Sequence, residues 1–241
     1  MGFLKVLGLA TLLSTTVLAQ APKIRYMPFG DSITEIVCWR GLLQTQLAAT
    51  GYTNIDFVGS GTQQSEAGCA NSNYDRDNEG HSGFLAINIA NRNQLVDWLK
   101  KNPADVITMH LGTNDIVQQN KKTEDIIAAF STLVDQMRAS NPAMKIIVAQ
   151  IIPIAFGNYN PAIQTFNKAI PAWAVSKNTT ASPIWVVDQF TGFSEITDLR
   201  DGVHPNAKGD AKMAAIWAPA LSHAFDLMGE KATKREVEFM A

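Results

Sequence analysis

Three kinds of side chain stand in this sequence where acyl transfer would need them: a serine, a histidine following a carboxylate, and an asparagine amide. Gly30-Asp31-Ser32 comes directly after the apolar run Ile24–Phe29. A serine at a tight strand-to-loop turn is held out of the sheet with its backbone N–H free to donate, as a nucleophile requires. The same tripeptide also fits an ordinary turn followed by a helix cap. Asp201-Gly202-Val203-His204-Pro205 places a carboxylate three residues before a histidine. A turn of that length lets Asp201 accept from one ring nitrogen while the other faces a hydroxyl; a polar turn capping the last helix is the alternative. Gly112-Thr113-Asn114-Asp115 offers Asn114 as a donor to a developing oxyanion, or as a turn and cap residue. Of the other histidines, His110 lies in an apolar run and reads as a core residue. His223 reads as surface, and His81, in the loop Gly80-His81-Ser82-Gly83, as a residue that could line a cleft. No Gly-x-Ser-x-Gly elbow occurs, which disfavours the α/β-hydrolase form of serine chemistry.

Positioning these residues requires a particular order of elements. Strand-like runs at Ile24–Phe29, Ile55–Val58, Asp105–Leu111, Lys145–Ile152 and Ile184–Asp188 alternate with helical patterns. The helices are expected at Trp39–Thr50, Ala86–Lys101, from Thr123 onward, Pro161–Lys177 and about Ala207–Phe225. The third is the clearest: Ile126, Ile127, Phe130, Leu133, Val134 and Met137 share one face at helical spacing, with Thr123 as a capping residue. Pro219 is expected to kink or interrupt the last helix. Such alternation predicts an α/β fold in three layers, a central five-stranded parallel sheet between helices. Ligands in such sheets bind at the carboxyl ends of the strands, where all the candidate loops fall.

Composition narrows the class. The chain has 241 residues, 46% hydrophobic and 17% charged, with a net charge of −2. It is long enough to bury a core, and no field of one sign invites nucleic acid or an anionic membrane. The N-terminus has Lys5, the apolar run Val6 to Leu13 and a small-residue stretch ending in Ala19, the layout of a secretory signal peptide cleaved after Ala19. Residues 20–241 then form one domain, soluble, secreted and read as a monomer. Export favours pairing the two cysteines, Cys38 and Cys69. Closing that loop would be worth about 3.5–4 kcal/mol in the chain-entropy description, with two buried thiols as the alternative. Asn178-Thr179-Thr180 is an N-glycosylation sequon compatible with secretion.

Taken in order after successive strands, these signals resemble a known family. Gly30-Asp31-Ser32, Gly83, Gly112-Thr113-Asn114-Asp115 and Asp201-x-x-His204 are similar to the four blocks of the SGNH hydrolases of the GDSL esterase superfamily, over about residues 24–225. Asn78-Glu79-Gly80-His81-Ser82-Gly83-Phe84, with the export signal, further resembles the secreted acetyl xylan esterases of carbohydrate esterase family 3. The resemblance implies a flavodoxin-like SGNH fold with Ser32 as nucleophile, His204 as base and Asp201 as its orienting carboxylate. It implies an oxyanion hole from the N–H of Ser32, the N–H of Gly83 and the amide of Asn114, with Gly59, Gly61 and Gly80 competing for the second place. One departure is Ile33-Thr34 where the family's short name has leucine, a position that should only pack.

The function implied is hydrolysis of acetyl esters on a plant polysaccharide such as xylan, with no cofactor required. Alternatives are a lipase, thioesterase or other acetylesterase, and a non-catalytic carbohydrate-binding protein. The intact Ser32, Asp201 and His204 argue against the last. Trp98 and Trp217 read as core; Trp39, near Ser32, could contact sugar, though packing reads better. Asp75 and Asp77, in Asp75-Arg76-Asp77-Asn78-Glu79-Gly80, resemble the opening half of a calcium loop, but Ala86 stands where the bidentate glutamate belongs. A solvated polar loop is the alternative to a structural calcium there.

Overall fold

The computed structural model describes residues 23–63, 68–69 and 73–229; the expected signal peptide lies outside the described residues. Six parallel strands form one sheet: β1 (Ile24–Gly30), β2 (Ile55–Phe57), β3 (Glu79–Gly80), β4 (Val106–His110), β5 (Lys145–Gln150) and β6 (Ile184–Asp188). Their order is β2-β1-β4-β5-β6, and β3 pairs with the end of β1, Phe29 opposite Glu79 and Gly30 opposite Gly80. The sheet thus has one more strand than the five expected. A two-residue strand is too short to leave an alternating pattern, so β3 could not be read from sequence.

The pleat divides the core between two faces. Met27 and Phe29 of β1, and Ile146 and Val148 of β5, join the cluster on one face; Tyr26 of β1, and Ile147 and Ala149 of β5, join the other. The first face is covered by α3 (Ala86–Asn91), α4 (Gln94–Lys101), α6 (Thr123–Ser140) and α7 (Asn160–Lys177). The second is covered by α2 (Trp39–Ala49) and α8 (Ala207–Leu227). Two short helices, α1 (Ser32–Glu35) and α5 (Thr113–Gln119), sit where β1 and β4 end. Strand order reverses direction at β1, so the crevice between the carboxyl ends of β1 and β4 is the expected ligand position.

Three local expectations need correction. The helix read as Ala86–Lys101 is broken into α3 and α4 because Asn93 takes a left-handed backbone, φ 54°, which asparagine tolerates better than most residues. Gln136 on α6 holds that break, donating to Ala90 O and Asn93 Oδ1 at 3.1 and 3.0 Å. Thr123 does not cap α6: it is the first residue of the helix, and Lys122 occupies the cap with no side-chain bond. Pro219 does not interrupt α8, which runs on to Leu227 with the proline inside it. Cys38 and Cys69 form the expected disulfide, Cα–Cα 5.4 Å. It ties the start of α2 to the segment that leads into β3.

Candidate active site

Ser32 opens α1 immediately after β1. Asp31 caps that helix, its Oδ1 accepting from Ile33 N at 2.9 Å, so the turn-and-cap reading of Gly-Asp-Ser holds together with an outward serine. Burial pushes the Asp31 carboxyl up to about 7; the Ile33 N–H opposes the shift and the nearby Asp115 carboxylate adds to it. Across the crevice, Asp201-Gly202-Val203-His204 folds back on itself. Asp201 Oδ1 accepts from the backbone N–H of Val203 and His204 at 3.0 and 2.8 Å, while Oδ2 meets His204 Nδ1 at 2.7 Å. The other ring nitrogen, Nε2, lies 2.9 Å from Ser32 Oγ. Burial raises the Asp201 carboxyl, but the His204 backbone and ring hydrogen bonds outweigh it and hold the group below the usual carboxylate range. An ionised Asp201 fixes the imidazole with Nδ1 protonated and leaves Nε2 to accept the serine proton.

Ser32, Gly83, Asn114 and His204 all line one cleft of about 370 Å³. Neither Ser32 N–H nor Gly83 N–H has a hydrogen-bond partner among the described residues. Asn114 spends one amide proton on Phe84 O at 3.1 Å, and its Oδ1 accepts from Gln118 Nε2 at 2.9 Å, which fixes the amide's orientation and leaves the second proton free. Gly112, before α5, has φ 113° and packs where a Cβ would come within 2.6 Å of the Phe166 ring, so both its conformation and its contact exclude a side chain. Asp115, the last residue of that motif, is turned away from the cleft and caps α3, accepting from Ala86 N and Ile87 N at 2.8 and 3.1 Å. Two blocks far apart in sequence are thereby fastened together.

Of the four glycines weighed for the second oxyanion place, Gly83 is the one that lines the cleft. Gly80 is inside β3, and Gly59 and Gly61 pack against the Asn78 backbone. His81-Ser82-Gly83-Phe84 is a β-turn closed by Phe84 N to His81 O at 3.1 Å, with Gly83 at φ 79°. A positive φ at the third residue alone makes this a type II turn, which demands glycine there. Glu35, at the end of α1, holds the turn from outside: its Oε2 accepts from Ser82 N at 2.7 Å and from the Ser82 hydroxyl.

Residues 29–212 of this chain match the GDSL-like Lipase/Acylhydrolase family. The chain belongs to that family. This GDSL-like chain is 30% identical over 220 residues to a multidomain esterase of Ruminococcus flavefaciens, covering 82% of the chain and 28% of that protein's length. Among solved structures it resembles an acetyl esterase variant crystallised with an acetate ion, at 37% identity and TM-score 0.79, covering 85% of this chain and 99% of that one. A carbohydrate esterase family 3 member from Talaromyces cellulolyticus is equally similar, at 37% identity and TM-score 0.79, with 84% and 99% covered.

Other expected residues fall elsewhere. His81 does not line the cleft: its ring stacks on Trp98 at 4.0 Å and on Phe84 at 5.1 Å, and Nε2 meets the buried Glu79 Oε1 at 2.7 Å. His110 is a core residue, accepting from Ile152 N at 3.3 Å, and burial lowers it to about 4. His223 is exposed. Trp39 and Trp217 are buried against each other, and Trp39 donates to Ile33 O, so Trp39 is not a sugar contact; Trp98 is partly buried beneath His81. Asp75 accepts from Phe57 N and Asp77 N at 3.2 Å each, and no group of three or more metal-ligating side chains occurs among the described residues. Sequence reading missed Glu35, Gln118 and Phe156, the last a half-exposed ring on the cleft wall. The spacing Ser32-x-x-Glu35, one helical turn, and the i, i+4 pair Asn114 and Gln118 were signals available for the first two.

Proposed function

We propose that the protein is a secreted serine carboxylic ester hydrolase that removes acetyl groups from a polysaccharide, acetylated xylan being the substrate that fits best. The observation that carries this reading is the hydrogen-bonded chain Asp201–His204–Ser32, at 2.7 and 2.9 Å, opening on a cleft that Gly83 and Asn114 also line. Its likeness to acetyl and carbohydrate esterases at 37% identity supports the acetyl group and the sugar.

In the reaction, His204 Nε2 removes the Ser32 proton as Oγ attacks the ester carbonyl carbon. The carbonyl π electrons move to oxygen, and the oxyanion is met by Ser32 N–H, Gly83 N–H and the free proton of Asn114. Collapse expels the sugar alkoxide, which takes the proton from His204. Water then repeats the sequence on the acetyl-Ser32 ester, releasing acetate and restoring the serine. A neutral imidazole is needed at the start of each half, and Asp201, held below the usual carboxylate range, orients it.

The test is acetate release from acetylated xylan, with Ser32→Ala as control. Release by the native enzyme and none by the variant is expected. Release undiminished in Ser32→Ala ends the assignment of Ser32 as nucleophile, and no hydrolysis by the native protein ends the esterase assignment; hydrolysis of small acetates without release from xylan would move the substrate elsewhere.

A further inference from the structure

We propose that Glu35 is a positioning residue, which holds the Ser82–Gly83 peptide so that the Gly83 N–H serves the oxyanion; this rests on the esterase reading above. In a type II turn the central peptide is rotated by about half a turn from its orientation in a type I turn. That peptide here joins Ser82 to Gly83, so the choice of turn type decides which way the Gly83 N–H points. Glycine at φ 79° permits the type II arrangement but does not enforce it, because glycine is also at home in the other.

Enforcement comes from the flanking groups. Glu35 Oε2 receives both donors of Ser82, the backbone N–H at 2.7 Å and the hydroxyl, on one side of the peptide. Gln118 Nε2 reaches the Gly83 carbonyl at 3.3 Å on the other side and bonds Asn114 Oδ1 at 2.9 Å as well. Glu35 leaves α1 one helical turn after Ser32, so nucleophile and oxyanion donor are referred to the same short helix. β3 brings the loop close enough for this: a Cβ on Gly80 would lie 2.6 Å from Glu35 N. Among the described residues no other carboxylate accepts from Ser82, the residue that leads into the turn's central peptide. An acidic side chain can thus sit beside a cleft whose chemistry develops negative charge: it faces the Ser82 N–H and leaves the next N–H to the substrate.

Glu35→Ala is expected to lower kcat about 10- to 100-fold with KM nearly unchanged, as for a displaced oxyanion donor. Inhibition by a small alkylboronic acid, whose tetrahedral Ser32 adduct carries the same charge, separates positioning from loss of folded enzyme. Its Ki is independent of active fraction and should rise by a similar factor. Glu35→Gln, which keeps an acceptor oxygen, should recover most of both quantities. Glu35→Leu takes the place of the alanine variant, with the same readings, if that variant does not fold. The proposal is overturned if kcat is retained, if kcat falls while the boronate Ki stays at the native value, or if Glu35→Gln is as impaired as Glu35→Ala. A native enzyme without esterase activity, or an active Ser32→Ala, would instead overturn the reading beneath it.

Discussion

Among the described residues two histidine–carboxylate pairs have the same separation, and only one of them reaches a serine hydroxyl. His204 Nδ1 lies 2.7 Å from Asp201 Oδ2, and His81 Nε2 lies 2.7 Å from Glu79 Oε1. The first sits at the mouth of the cleft, its carboxylate side chain 47% exposed and its remaining ring nitrogen on a serine hydroxyl. The second has a fully buried carboxylate that also accepts from Ser60 N and Ser60 Oγ, and its ring is stacked on Trp98 and Phe84. A paired imidazole is therefore not evidence of a base; the decisive feature is what the other side of the ring meets. Glu79–His81 braces the loop that carries Gly83, whereas Asp201–His204 is placed within hydrogen-bond reach of the Ser32 hydroxyl.

Mutations separate the two pairs most sharply through activity. Ser32→Ala and His204→Ala should each lower kcat by about 10⁴–10⁶-fold with little change in the denaturant midpoint. Asp201→Asn should follow at about 10²–10⁴-fold, because the amide can no longer stabilise the imidazolium or select its tautomer. His81→Ala reverses the pattern: activity falls less than about tenfold, while stability drops by about 1–3 kcal/mol in urea unfolding, since Glu79 is left buried with one donor fewer and the ring contacts are lost. Equal losses of activity from His81→Ala and His204→Ala would abolish the distinction.

How far the sequence foretold this difference depends on the range of the interactions. The four blocks, their order and the parallel α/β architecture were legible because apolar runs and turn residues report on neighbours a few positions away. So was Asp201–His204, whose partners are three residues apart. The stack of His81 on Trp98 was not, because it joins a loop to α4 across a helix break at Asn93 that periodicity does not reveal. Glu35 and Ser82 are separated by 47 positions, and only the β1–β3 pairing brings them together. β3 itself was invisible for want of length.

A smaller effect contrasts Asp201 with another carboxylate on the same stretch of chain. Asp210 is buried in the first turn of α8 and accepts from Cys38 N and Trp39 N at 3.1 Å each. Burial pushes it up to about 7, against the opposing pull of those N–H groups and of Arg200 and Arg40, whereas Asp201 is held low. Between about pH 4 and pH 7 the folded state keeps an Asp210 proton that the unfolded chain has lost. That contribution is fully present below the unfolded value and is lost as pH rises through the folded one, at up to about 1.4 kcal/mol per pH unit. Asp31, raised to about 7, acts in the same direction. Asp210→Asn, which keeps an acceptor for both N–H groups, should flatten the slope of unfolding free energy across this window. A slope equal to the native one would place the raised group elsewhere.

On the proposed mechanism Ser32 Oγ, served by His204, takes the acyl group. Diethyl 4-nitrophenyl phosphate transfers its phosphoryl group to an activated serine and releases one nitrophenolate. One equivalent released per folded enzyme, complete loss of esterase activity, and a peptide map with the diethylphosphoryl mass on Ser32 alone are expected. Modification at another residue accompanying the loss of activity, or full activity in enzyme labelled at Ser32, would contradict that mechanism.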